Sequence, residues 1–185
     1  MLCSEHRERL FATLRRMEQD SRGMEFFGAV PGTPVDVCLQ EVDKADLLVL
    51  VVAHRYGWIP RAEDGGDGTS SITRLEFQRA RQPLKGAPKP VLAFLVDAKA
   101  EWPGAKEQDR LTSAETEQQA HDVWKAVQAL GGLKKEVSGL VRDTFSTPAD
   151  LADKAGSAVA RWLLNQQALQ QQNVVAERAL QELMQ

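Results

Sequence analysis

Cysteine is scarce: Cys3 and Cys38 are the two in 185 residues, and both lie in segments of helical periodicity. Neither belongs to a Cys-x-x-Cys pair or a Cys/His cluster, so the sequence supports neither a thiolate metal site nor a disulfide framework. Cys38 reads as a buried thiol, the usual place for a free cysteine. Long hydrophobic runs are missing as well. The longest strongly apolar stretch covers 47–53, far short of the roughly 20 residues that span a bilayer. No signal-peptide pattern opens the chain, and a cytoplasmic, reduced setting is expected. Basic charge is not in excess either: Lys and Arg number 23 against 26 Asp and Glu, a net charge of -3. Phosphate backbones are bound by clustered basic surface, so nucleic acid is not an expected partner.

Several catalytic signatures are absent. The glycines of "GGDGTSS" suggest a phosphate cradle, but a P-loop needs Lys directly before its Ser or Thr, and none stands there. No G-x-G-x-x-G opens a helix, and no G-x-S-x-G elbow occurs. His6, His54 and His121 lie in unrelated segments with no H-E-x-x-H, so no metal site is expected.

What is present is an alternation of helical and strand patterns. A hydrophobic content of 43% suffices for one domain with a real core. Leu10, Phe11, Leu14 and Met17 recur at helical spacing over 5–19, and Gly23 stands where a helix would stop. A short strand over 24–27 follows. Thr33 then offers an N-cap with Pro34 at N1 and Asp36 at N3, ahead of Val35, Cys38, Leu39 and Val42 on one face of a helix ending near Ala45. Residues 47–53 and 90–96 are continuously apolar, the mark of strands covered on both faces. Between them a helix is expected from Ser71 or Thr73 to Arg81. After an aperiodic stretch, Thr112 or Ser113 is expected to cap a helix closed by Gly131 and Gly132. One more short strand fits within 137–145. Thr147-Pro148 starts the last helix, with Leu151, Ala155, Val159, Trp162 and Leu163 inward. This order predicts an α/β fold with a parallel sheet between helices. Residues 1–164 form that domain, and the Gln-rich 165–185 reads as a helical connector or oligomerisation tail.

Ligands of such sheets sit beyond the carboxyl ends of the strands. His54, Arg55, Tyr56 and Gly57 fall at one such end, and "MEFFG" (24–28) at another. Glu76 admits two readings. In "TRLE" it stands at capping-box spacing from Thr73 and would fold back on the helix's opening amide. With Ser71 as the cap instead, Glu76 lies one turn into the helix and faces whatever the 54–57 loop holds. A carboxylate there could stabilise an oxocarbenium ion or engage a ribose hydroxyl. Arg55 could serve as a fork for phosphate or for the carboxylate of Glu25 or Glu76. Tyr56 and Trp58 read as core or loop anchors.

The blocks "GMEFFGAVPGTPVDVCLQEVDKADLLVLVVAHRYGWIP", "SSITRLEF", "KPVLAFLVDAKAEWP" and "FSTPADLADKAGSAVARWL" resemble, in order, a family catalogued as domain of unknown function 4062 and regarded as TIR-like. The resemblance covers roughly 5–164. It implies a flavodoxin-like (TIR-like) parallel sheet of about four or five strands flanked by helices, with a C-terminal helical extension. It also implies a defence or signalling module, often followed by STAND-type nucleotide-binding regions, so a partner domain beyond the tail and a homo-oligomer in the active state are expected. Enzymatic TIR domains cleave the nicotinamide glycosidic bond of NAD with a glutamate on the helix matching that of Glu76. NAD is then the candidate substrate, no cofactor is required, and Glu25, Phe27, His54, Arg55, Tyr56, Gly57 and Ser71 are expected to line the nucleotide pocket. A non-catalytic nucleotide-binding or assembly module and a deoxyribosyltransferase-type enzyme are the alternatives. Family members open with an apolar strand before the first helix, whereas this sequence opens at that helix, which leaves the expected 24–27 strand unpaired and one pocket wall missing. The expectation is that either the true start lies upstream, or another chain or an unusual arrangement fills the gap.

Overall fold

The computed structural model describes residues 4–24 and 31–184. Among these, five helices and three strands alternate: α1 (Ser4–Arg16), α2 (Pro34–Lys44), β1 (Leu48–Val52), α3 (Ile72–Arg81), β2 (Val91–Val96), α4 (Glu117–Ser138), β3 (Arg142–Phe145) and α5 (Pro148–Leu183). The strands form one parallel sheet in the order β1-β2-β3, with Leu48 opposite Val91 and Ala93 opposite Arg142. The α/β class and parallel sheet are as the sequence implies. The described sheet has three strands rather than four or five, and the strand expected over 24–27 lies outside the described residues except for Met24.

Both faces of the sheet are covered, which is why its strands read as unbroken apolar runs. Side chains alternate along a strand. Leu50, Val52, Ala93 and Leu95 therefore pack on one side with Phe77 of α3 and Leu130, Leu133 and Val137 of α4. Val49, Val51, Phe94 and Val96 pack on the other with Leu10 and Leu14 of α1 and Leu151, Ala155 and Val159 of α5. Each fully buried Leu, Val or Phe contributes roughly 1.5–3 kcal/mol. A satellite cluster of Val35, Cys38 and Ile72 joins α2 to α3, reinforced by the Arg79–Asp43 ion pair at 3.0 Å. Cys38 is buried as expected, and burial together with the nearby charge of Glu76 pushes its thiol up to about 12.

The local signals explain most boundaries. Thr33 caps α2 by accepting the Asp36 amide at 3.2 Å, and Thr147 caps α5 by accepting the Asp150 amide at 3.1 Å. Helix α4 departs from expectation at both ends. Its cap is Thr116, and it runs through Gly131 and Gly132 to Ser138. A glycine inside a helix costs about 1 kcal/mol, but Leu133 and Val137 beyond the pair are fully buried and outweigh it. The last strand accordingly begins only at Arg142. Helix α5 is continuous across the expected boundary at 164/165, and Leu169, Val174, Val175, Leu180 and Leu183 in its second half are exposed. No helix of the described residues is long and apolar enough to cross a membrane.

Candidate functional site

The cap of α3 decides where Glu76 points. Ser71, fully buried, accepts the Arg74 amide at 3.4 Å and is the N-cap. Glu76 is therefore the fifth helical residue, beyond reach of the opening amide, and the Thr73 capping box does not form. The Ile72 amide donates to the Trp58 carbonyl at 3.0 Å, which fastens the first turn of α3 to the loop leaving β1. Glu76, Arg55, Tyr56, Gly57, Trp58 and Thr73 consequently line one groove of 1160 Å³. Glu76 has no hydrogen bond or ion pair among the described residues, and burial alone pushes its carboxyl up to about 7.

The loop itself is held by a residue that the sequence does not single out. Glu107, 3% exposed, accepts the Tyr56 amide at 2.6 Å and the Arg110 guanidinium at 2.6 Å. Its own amide donates to the His54 carbonyl at 2.8 Å. Arg55 Nε lies 3.4 Å from the same carboxylate, an ion pair without hydrogen-bond geometry. Burial works against the ionised form of Glu107, and the Tyr56 and Arg110 hydrogen bonds with the two guanidinium charges overcome it, so its pKa is lowered. The partner of Arg55 is thus Glu107 and not Glu76, while its side chain remains 33% exposed at the groove. The only local hint of Glu107 is its i, i+3 spacing from Arg110.

Not every expected site residue offers a free side chain to that groove. Tyr56 is a core side chain, 3% exposed, and offers its backbone rather than its ring to the loop clamp. Gly57 turns the chain with φ +94, where a side chain would be strained. Ser71 is consumed by capping. His54 is buried edge-on against Trp102, ring centroids 5.2 Å apart, away from the Glu76 groove. Burial and the charges of Lys134 and Lys106 lower its pKa to about 4, which keeps it neutral. Glu25 and Phe27 lie outside the described residues.

The glycine-rich loop is a packed turn. A Cβ on Gly66 would collide with the Pro60 carbonyl, and Asp67 Oδ1 accepts the amides of Thr69 and Ser70 at 2.8 and 2.6 Å. Burial opposes the ionised Asp67, but those amides outweigh it and hold its pKa at about 2. A carboxylate thus fills the position a bound anion would take. Among the described residues no His, Cys, Asp and Glu cluster could hold a metal.

A second hollow of 770 Å³ lies at the carboxyl ends of β2 and β3, lined by His6, Asp97, Trp102 and Thr147. His6 packs against Trp102 with ring centroids 4.7 Å apart and planes tilted by 36°, and its pKa is lowered chiefly by burial.

A family model described as "Domain of unknown function (DUF4062)" matches residues 3–160. No curated protein and no solved structure matches the chain.

Proposed function

Since the chain belongs to the family described as domain of unknown function 4062, we propose that it is a TIR-like effector module that hydrolyses the nicotinamide N-glycosidic bond of NAD, with Glu76 as the key carboxylate. One observation carries the reading: a carboxylate on α3 with no partner among the described residues, raised toward neutrality by burial, shares a groove with Arg55 and Gly57 at the carboxyl end of β1. Parallel sheets bind ligands at that rim.

The bond that breaks joins C1′ of the ribose to the pyridinium nitrogen, and its electron pair leaves with nicotinamide. The sugar carbon becomes an oxocarbenium ion, and water adds to it with loss of a proton to give ADP-ribose. Ionised Glu76 would stabilise that cation and orient a ribose hydroxyl. A pKa near 7 suits the task, because the cationic substrate favours the charged form as it binds. Arg55, steadied from behind by Glu107, would meet the pyrophosphate.

A second reading has its own support. The exposed apolar side chains of the second half of α5 favour a non-catalytic assembly module. One assay separates the two. The protein is clustered through a fused oligomerising tag and incubated with NAD, and wild type is compared with Glu76→Gln. Nicotinamide release by wild type, reduced at least ~100-fold in the variant, supports catalysis, and its kcat/KM should rise with pH through about 7. No release from either protein, with both folded, leaves assembly as the function.

A further inference from the structure

Two lysines beside the 54–57 loop carry charge that the fold does not balance. Lys106 stands directly before Glu107, whose amide donates to the His54 carbonyl at 2.8 Å, so its backbone is held against the end of β1. Helix α4 packs on the turn over 108–111 that follows and brings in Lys134, next to the buried Leu133. Both lysines are half-buried. Neither has a carboxylate partner among the described residues, because the nearby acids are engaged elsewhere. Glu107 holds Arg110 and Arg55, Glu136 pairs with Arg74, and Asp109 accepts the Lys106 amide at 2.8 Å. Burial, and after it the charge of Lys106, lowers the Lys134 pKa, and both ammonium charges reach His54. That imidazole is 9% exposed, and its Nε2 is buried with no hydrogen-bond partner among the described residues.

Half-burying like charges together is costly, and sites whose counter-charge arrives with a ligand show this pattern. The surface beside Lys134 is also open. A helical side chain leans over the turn N-terminal to it, and there Gly131 has nothing within 4 Å of where a side chain would begin. The glycine that weakens α4 keeps this approach bare.

We infer that Lys106 and Lys134 bind one phosphoryl group, as inorganic phosphate or a phosphate monoester, against the buried imidazole of His54. Charge selects the ligand. Two ammonium groups match a dianion, and a phosphate monoester carries about -1.5 to -2 at neutral pH, whereas a carboxylate would balance only one lysine. The neutral imidazole adds one donor and one acceptor. None of the three side chains lines the Glu76 groove, so the inference stands whether or not Glu76 is catalytic.

The test is a titration of the whole chain with inorganic phosphate at neutral pH, followed by NMR at the Lys106 and Lys134 amides and the His54 imidazole. Sodium chloride at matched ionic strength is the reference. Saturable shifts at all three residues are expected with phosphate and not with chloride. Lys106→Met and Lys134→Met keep the stem and remove an unbalanced charge, so both should fold, and each should weaken binding about tenfold or more. Lys135→Met, at an exposed neighbour, should change binding less than about twofold. Adenosine 5′-monophosphate is titrated in parallel. Tighter binding than phosphate supports the site with a phosphorylated small molecule as its ligand, and equal or weaker binding supports it with free phosphate. No saturable shift with millimolar phosphate or monophosphate overturns the proposal. So does an equal loss in Lys135→Met, which would reduce the effect to diffuse attraction, and so does adenosine binding as tightly as its monophosphate.

Discussion

At the β3 edge Thr144 turns its main chain outward, and side chains satisfy both groups: Asp143 Oδ1 accepts its amide at 2.8 Å, and Lys154 Nζ donates to its carbonyl at 2.6 Å. At the β1 edge Val49 and Val51 turn theirs toward the groove that Glu76 lines, where no described residue meets them. Arg142, Asp143 and Thr144 are exposed, and Phe145 alone anchors β3 in the core. Every residue of β1 is apolar and at least half-buried. Charge and brevity make β3 a true margin, whereas β1 has the composition of an interior strand. The candidate carboxylate lies on the β1 side, where burial is incomplete and polar groups lack partners among the described residues. That is where a site, rather than a stable border, is expected.

The comparison can be broken most severely at Phe145. It is fully buried and is the single core contact of β3, so Phe145→Ala should cost about 3–5 kcal/mol and release that edge. Urea unfolding gives the loss, and a cost below about 1 kcal/mol would mean that the clamp around Thr144, and not the ring, holds β3.

A smaller effect tests the β1 side. Glu76 has its pKa raised by burial to about 7, so the native state keeps a proton that the unfolded chain has released above its ordinary carboxyl value. Stability due to this group is therefore complete at low pH and lost as pH rises toward 7. Glu76→Gln should match wild type near pH 4 and exceed it by about 2 kcal/mol at pH 8, an order-of-magnitude figure reduced for the group's partial exposure. Thermal melts at the two pH values check the sign. A variant less stable at pH 8 would mean that Glu76 is held ionised by a partner.

The smallest effect is at Asp143. Its pair with Lys154 spans 3.9 Å at the surface, so Asp143→Val should change stability by no more than ~0.5 kcal/mol. It should nonetheless promote association, because it uncovers the Thr144 amide. Light scattering against concentration sharpens the contrast: a variant that stays monomeric would show that charge is not what guards this edge.

Much of the scaffold was legible in the chain. Thr33-Pro34 and Thr147-Pro148 announced two helix starts, and the runs at 47–53 and 90–96 announced buried parallel strands. The glycine pair in α4 misled because local propensity ignores the burial of Leu133 and Val137 further along. The candidate site was legible only in part. Arg55, Gly57 and Glu76 do share a groove, but the loop's anchor, Glu107, lies 51 residues from the Tyr56 amide in a stretch without periodicity. No local pattern marks such a contact.

By itself the sequence determined the period and polarity of each element, because caps and alternation act within a few residues. Only the tertiary structure decided between Ser71 and Thr73 as the cap, and with that the direction of Glu76. The choice rests on the hydrogen bond from Ile72 to Trp58 across the loop. The same holds for the partner of Arg55 and for the main-chain groups of Val49 and Val51, since hydrogen bonds and charges are satisfied in space rather than along the chain.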